Sequence, residues 1–373
     1  MIFLFIISLI TSIAYVLMIM RLYDGWSQTV EYLNKSGSNP STKVSVIIPV
    51  RNEGNHITAC IESILNNDYP EDLYEVIVVN DHSEDNTLEV LALFKSKIKV
   101  ISQDKRSVGK KAALLAGIAA SEGELILCTD GDCIVDRQWI SGLATLYERE
   151  QPALIAGIVK IQYNNTLISA CQYLDFAGLM MVTANGISTD GYYLANGANI
   201  AFRKEAWLRI LSQLRGNMLA SGDDMFLIQA MAQNQERIIF AKDRSTWVTT
   251  LPEPNWPDLF NQRKRWAGKT KHYGDNKLIK IQLFIGFFHM LIIVHFALSG
   301  VTGSLGLFAG LFMLFIKWCM DYLMLSYICN YFGNTRPLKY FIPSALIQFV
   351  MYLWMGTHAL FPGKYRWKNR KVA

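Results

Sequence analysis

The sequence predicts an α/β protein, a mostly parallel sheet covered by helices, held between apolar ends that enter a membrane. Three observations lead there. Strand-like and helical patterns alternate four times in under ninety residues. An uncharged run of 19 residues, Ile2 to Met20, opens the chain. A second apolar block extends from about Leu283 to Leu360.

The 373 residues suffice for two average domains, or for one large domain with membrane segments. Hydrophobic residues make up 51% of the chain, its mean hydropathy is +0.18, and the excess lies at the two ends. At about 1.5 Å per residue the first run crosses a ~30 Å hydrocarbon core. Its first cation, Arg21, follows the run, so it reads as an uncleaved anchor with its N-terminus outside and Arg21 inside. The second block divides at SGVTGS and CNYFGNTRPLK into 283–299, roughly 304–323 and roughly 340–360. It holds His289, His295, Lys317 and Asp321, and the last two stand one helical turn apart, where they can pair. Three crossings after an inside domain would leave the tail GKYRWKNRKVA, with five cations, outside. One segment, 283–299, is therefore expected to lie in the membrane interface. The expected layout is an anchor over 1–21, a juxtamembrane linker over 22–42, a cytosolic domain over 43–272, two or three membrane helices over 273–363 and a basic tail over 364–373. The net charge of +5 comes largely from Lys and Arg beside apolar runs, which suits an anionic membrane surface. No basic stripe with interleaved aromatics marks a nucleic-acid partner. Six cysteines without CxxC spacing read as buried thiols in a reducing cytosol.

Within the middle, KVSVIIPV (43–50) is a buried strand. A helix from about Asn55 follows, with Ile57, Cys60, Ile61, Ile64 and Leu65 on one face. YEVIVVN (74–80) is the second strand, and Ser83 can cap a helix carrying Leu88, Leu91 and Phe94. IKVIS (98–102) is the third strand, GKKAALLAGIAAS a helix, and GELILCT (123–129) the fourth strand.

In open α/β sheets ligands bind beyond the carboxyl ends of the strands. After the first strand stand Arg51, Asn52 and Glu53, where a dinucleotide-binding fold would carry G-x-G-x-x-G, so an oxidoreductase loses its main support. After the second, Asp81 can accept hydrogen bonds from a base or ribose, although a polar turn explains it equally well. The fourth strand delivers TDGDC. Asp130 and Asp132, two apart, leave an extended segment on one side and suit Mg²⁺ or Mn²⁺ shared with substrate phosphates. Asp-Gly-Asp is also an ordinary turn, but its place after a buried strand favours the metal. In SGDDMFL, Asp223 and Asp224 open a helix; capping accounts for one and leaves the other as a general base. In QRKRW (262–266), Arg265 can bind a diphosphate bidentately and Trp266 offers a flat face to a sugar, while the cations also suit a juxtamembrane anchor.

The order PVRNE, NDHSED, GKKAALLAG, TDGDC, NGANIAFRK, GDD and QRKRW, over about 43 to 270, resembles that of family-2 glycosyltransferases with a GT-A domain. The likeness is greatest to membrane-bound members carrying Q-x-x-R-W, such as cellulose, hyaluronan and poly-N-acetylglucosamine synthases and related glycolipid glycosyltransferases. It implies a GT-A sheet with helices on both faces and metal-dependent, inverting transfer from a nucleotide-diphosphate sugar, a UDP-sugar, to a lipid or glycan acceptor. It also implies an integral protein of a bacterial-type inner or plasma membrane, its catalytic domain facing the cytoplasm. By the same resemblance Asp81 contacts the base, Glu53 lies near the nucleotide and Lys110 neighbours the diphosphate. Asp130 and Asp132 hold Mn²⁺ or Mg²⁺, with Asp132 the firmer ligand. Asp224 is the catalytic base, Gln262, Arg265 and Trp266 are the Q, R and W of the motif, and Asn199 and Asp223 lie on the acceptor side with Trp266. The chain departs from the family where Gly222-Asp223-Asp224 replaces T-E-D, where Leu115 stands for a common Asn, and where His82 follows Asp81. One N-terminal anchor and a short chain favour a glycolipid product over a processive polysaccharide synthase, which stays as the alternative. A catalytically silent membrane scaffold is the third class, and the intact acids and Arg265 argue against it.

Overall fold

A computed structural model describes residues 2–31, 40–104, 106–215, 223–268, 275–360, 365–367 and 370–372. Parts of the expected linker (32–39), Gly222, the end of the expected cytosolic domain (269–272) and parts of the basic tail lie outside the described residues.

The first long helix, α1 (Ile2–Gln28), continues through 22–28, so the linker expected there is helical in its first third. Then come β1 (Val44–Val50), α2 (Ile57–Leu65), β2 (Tyr74–Asn80), α3 (Thr87–Ala92), β3 (Lys99–Ser102), α4 (Lys110–Ala119) and β4 (Leu125–Cys128). This is the alternation read from the sequence. One cap differs: α3 begins at Thr87, and the Ser83 hydroxyl instead accepts the Asn52 N–H at 3.0 Å, tying two strand-end loops together.

Further along lie β5 (Ile134–Val135), α5 (Trp139–Glu150), β6 (Leu154–Gly157), β7 (Val159–Ile161), α6 (Leu167–Ser188), β8 (Ile200–Arg203), α7 (Lys204–Arg215), α8 (Asp223–Gln233), β9 (Ile238–Ala241), β10 (Val248–Thr250) and α9 (Trp256–Ala267). Seven strands make the central sheet in the order β3-β2-β1-β4-β8-β6-β9. β8 runs antiparallel to both neighbours, while the remaining pairs are parallel. β5, β10 and β7 form a small second sheet. β1 is covered on both faces, which is why VSVIIPV reads as an unbroken apolar run rather than an alternating one. It lies between β2 and β4, with Val50 paired to Asn80 and Ile47 to Cys128. That register sets the loops starting at Arg51, Asp81 and Thr129 side by side at one edge.

Three long helices complete the chain: α10 (Asn276–Thr302), α11 (Ser304–Tyr331) and α12 (Phe341–Leu360). Their breaks fall at the two interruptions read from the sequence. The expected in-plane segment lies within α10, which has 27 residues, as many as α1. Tyr365–Trp367 and Arg370–Val372 pair as an antiparallel hairpin where a simple tail was expected. Among the described residues, five helices are long and apolar enough to cross a membrane: α1, α6, α10, α11 and the stretch 336–356 that includes most of α12. α6 is not among the membrane segments expected from the sequence. Its apolar window is 67% buried inside the protein, against 28% or less for the other four, so α6 acts as a core helix between the sheet and the membrane helices.

The outer faces of the bundle stay apolar, as with Leu9, Ile13 and Leu17 on α1 and Phe308, Leu311 and Phe315 on α11. A surface of this kind is expected against hydrocarbon rather than water. Several polar side chains inside it are paired. Lys317 and Asp321 form the expected ion pair, the Tyr15 hydroxyl donates to Asp321, and Ser8 lies 2.7 Å from His295 Nε2. All six cysteines are free thiols, and five of them are buried.

Candidate active site

The three strand-end loops and two later segments meet in one cleft of about 1890 Å³. Of the eleven residues singled out in the sequence, nine line it: Glu53, Asp81, Lys110, Asp130, Asp132, Asp224, Gln262, Arg265 and Trp266.

At the sheet edge the Asp81 N–H donates to the Val50 carbonyl at 2.8 Å, which locks the loop after β2 against β1. Arg51, buried beneath, donates to the carbonyls of Asp81 and His82 and pairs with Glu84 at 2.9 Å. The Asp-Gly-Asp turn needs its glycine. A Cβ at Gly131 would stand 2.9 Å from Val50 Cγ1 and 3.0 Å from Glu53 Cγ. Glu53 therefore lies directly against the turn. Lys110, the first residue of α4, ion-pairs with Asp130 at 2.5 Å. Asp132 is approached by the Thr250 hydroxyl at 3.2 Å.

Asp224 arrives from the first turn of α8. One of its oxygens accepts the Gly197 N–H at 2.8 Å and the other the Met225 N–H at 2.9 Å. An ideal Cβ on Gly197 would lie 3.4 Å from that same Asp224 oxygen and 3.4 Å from Lys110 Nζ. The Lys110 ammonium and the Asp224 carboxylate are thus no more than twice that distance apart, and Asp130 is one ion-pair length further. Residues separated by nearly a hundred positions in the chain share one site.

The QRKRW helix, α9, divides its cations between two environments. Arg263 is buried and pairs with Asp175 on α6 at 2.6 Å, its guanidinium 4.3 Å from the Trp266 ring centroid. Trp266 in turn packs on Phe176, with centroids 5.9 Å apart. Arg265 faces the cleft. Opposite it stands Glu253, a residue the sequence analysis did not single out. The Glu253 carboxylate accepts from Gln262 Nε2 at 2.7 Å. Its backbone N–H and C=O are both held by the Gln172 side chain of α6. Burial pushes the Glu253 carboxyl above the usual range, the positive charge of Arg265 opposes the rise, and Asp258 and Asp132 add to it. The signal for Glu253 was an acid between two prolines just before the helix.

Asn199 stands elsewhere. It is fully buried outside the cleft lining, and its amide is held in the core: Trp139 Nε1 donates to its oxygen at 3.0 Å, and its nitrogen donates to the carbonyls of Ile158 and Thr246, both at 2.8 Å. With both N–H groups spent in the core and no part in the cleft lining, Asn199 has a structural role, which corrects its acceptor-side expectation. Asp223 begins α8, and its side chain lies outside the described part of the structure. Behind the turn, burial and the nearby charges of Asp132 and Asp130 push the thiols of Cys60 and Cys133 well up, which makes them inert packing.

The donor set fits Mg²⁺ or Mn²⁺ of the substrate-sharing kind. Among the described residues no group of three or more His, Cys, Asp or Glu converges as a full protein cage. Two hard carboxylates, Asp130 and Asp132, line the cleft, and Asp130 pairs with Lys110. These two carboxylates would hold the ion, with phosphate oxygens and water to complete the shell.

A family model described as Glycosyl transferase family 2 matches residues 45–206. Glycosyltransferase AglE of Haloferax volcanii is 33% identical over 141 residues, 37% of this chain and 46% of that protein. A dolichyl N-acetyl-alpha-D-glucosaminyl phosphate 3-beta-D-2,3-diacetamido-2,3-dideoxy-beta-D-glucuronosyltransferase of Methanococcus voltae is 30% identical over 132 residues, 32% of this chain and 40% of that protein. The chain spans about half, or less, of the length of the curated relatives it matches. Among solved structures, the mannosyltransferase PcManGT from Pyrobaculum calidifontis in complex with GDP-Man and Mn²⁺ aligns with a TM-score of 0.54 over 95% of this chain and 97% of that one, at 17% identity, a likeness of fold. Over residues 45–206 the motif order agrees with the match to family-2 glycosyltransferases, and the sheet topology and the likeness to PcManGT show a GT-A-like fold.

Proposed function

We propose that the protein transfers a sugar, with inversion, from a nucleotide-diphosphate donor, a UDP-sugar, to a hydroxyl of a lipid acceptor in the membrane. One observation carries this reading. The cleft that holds Asp130, Asp132 and Asp224 continues without interruption between α10 and α12, helices apolar enough to cross a bilayer. A Methanococcus voltae relative named for a dolichyl-linked substrate supports the acceptor class. The basic flank at Arg21 supports a cytoplasmic site.

In this reading the base stacks beside Asp81, and Lys110 and Arg265 hold the diphosphate. Mg²⁺ or Mn²⁺ at Asp132 and Asp130 would neutralise charge on the departing phosphate. Asp224, held by the N–H groups of Gly197 and Met225, takes the proton of the acceptor hydroxyl. The acceptor oxygen forms its bond to the anomeric carbon as the bond from that carbon to the phosphate oxygen breaks, and the nucleoside diphosphate leaves. Glu253 and Gln262 orient Arg265 toward the charge that develops, the usual source of the largest electrostatic gain. Trp266, clamped by Arg263 and Phe176, offers its ring to the sugar or acceptor.

A panel of nucleotide sugars, offered with Mn²⁺ or Mg²⁺ and a membrane lipid extract, tests the proposal. The expected product is a lipid carrying a single sugar of inverted configuration that partitions into the organic phase. A water-soluble ladder would instead establish a processive synthase, and no product with any donor would remove the transferase reading.

A further inference from the structure

The membrane half of the cleft has a composition of its own. Leu283, Phe287 and Met290 on α10 face Met351 and Met355 on α12, and all five line the cleft. Each helix contributes a stripe at intervals of three and four residues, one face of a helix. Leu283, Phe287 and Met290 are 68%, 50% and 50% exposed while lining the cleft, so the groove is open sideways. Two glycines keep it wide. A Cβ on Gly286 would meet only Tyr352, at 3.8 Å, and one on Gly356 would meet nothing within 4 Å. The groove is also braced: the Tyr352 hydroxyl donates to the Gln282 carbonyl at 2.7 Å, and its ring stacks on His289 at 5.0 Å and 12°. From Ile279 to Met290 the α10 stripe spans about 16 Å at ~1.5 Å per residue. That is close to one leaflet of a ~30 Å hydrocarbon core.

We propose that this groove between α10 and α12 seats one hydrocarbon chain of the acceptor lipid, entering sideways from the bilayer, so that its hydroxyl-bearing head reaches Asp224. The inference rests on the reading of the acceptor as a membrane lipid and names the site for its tail. The chemistry favours hydrocarbon over a growing glycan. A glycan needs a file of polar partners, whereas this stretch offers two amides, Gln282 and Gln348, against six Leu, Phe and Met side chains. Continuity with the catalytic cleft distinguishes the groove from the outer apolar face of α1, which ordinary lipid covers.

The test uses the full-length protein in nanodiscs of phosphatidylethanolamine and phosphatidylglycerol, photolabelled with a hexadecanol bearing a diazirine, with adducts mapped by peptide mass spectrometry. The paired substitution Gly286→Leu with Gly356→Leu fills the groove. Leucine is the better helix former and the space is open, so folding is preserved, as an unchanged thermal midpoint would verify. Adducts at Leu283, Phe287 and Met290 should exceed those at Leu9, Ile13 and Leu17 of α1. They should fall at least fivefold in the filled variant while the α1 adducts persist. Groove labelling no higher than that of α1, or unchanged on filling, overturns the proposal. So does a filled variant that glycosylates a lipid extract as fast as the wild type. A wild type that labels in the groove but transfers no sugar upholds the hydrocarbon site and removes the glycosyl-transfer reading.

Discussion

The two ends of the cleft are built on opposite terms. At the sheet end almost every charge is interlocked: Lys110 with Asp130, Asp132 with Thr250, Asp224 with two backbone N–H groups, Glu253 with Gln262. At the membrane end the lining is apolar, sideways open and widened by glycine. A charged diphosphate calls for fixed donors and cations, because preorganised charge costs no rearrangement when the leaving group departs. A hydrocarbon chain calls only for room and apolar surface. The α9 helix joins the two. Arg263 packs inward against Asp175 and Trp266, while Arg265, two residues on, faces the donor end.

That contrast can be broken at either end. The largest effect is expected at the turn after β4: Asp132→Asn should lower transfer by roughly a hundred- to a thousand-fold and abolish stimulation by Mn²⁺ or Mg²⁺ in an assay titrated with each cation. Arg265→Lys keeps the charge and loses the bidentate fork, so a loss of roughly ten- to a hundredfold in kcat/KM is expected. Lys264→Ala in the same helix should change kcat/KM by less than about twofold, as for an ordinary surface substitution.

Glu253 sharpens the comparison through pH. Its carboxyl is raised in the folded protein. The stability it contributes is therefore fully present below its unfolded value and is lost as pH rises through the folded one. Glu253→Gln removes that loss. The variant should melt at the same or a higher temperature at neutral pH, while transfer falls about tenfold because Gln262 and Arg265 lose an anionic partner. The smallest effect on catalysis is expected at Asn199. Asn199→Ala strands the Trp139 indole N–H and takes a donor from the carbonyls of Ile158 and Thr246, costing about 1–3 kcal/mol in a thermal or denaturant melt, with turnover per folded molecule unchanged.

What could be read in advance follows a physical division. β1, β2 and β4 announce themselves because parallel strands covered on both faces are continuous apolar runs, and the residues after them must then face the ligand edge. Asp81, Asp130 and Asp132 were legible for that reason. The reversed strand β8 and the partners of Asn199 were not, since Trp139, Ile158 and Thr246 come from three separate segments and no local pattern links them. Glu253 escaped for the same reason: its clamp, Gln172, lies on α6. The long helix α6 was itself ambiguous, because periodicity alone does not separate a buried core helix from a membrane span. Burial decides it.

The central claim is that Asp224 and the 130–132 turn act on one bound donor, and Asp224→Asn measures it most directly. Binding of the nucleotide sugar and rate of transfer should be followed on the same purified sample. Affinity within about twofold of the wild type is expected, with transfer lowered by at least about a hundredfold, the loss that follows removal of a general base. Transfer at the wild-type rate, with the donor equally well bound, would contradict the claim.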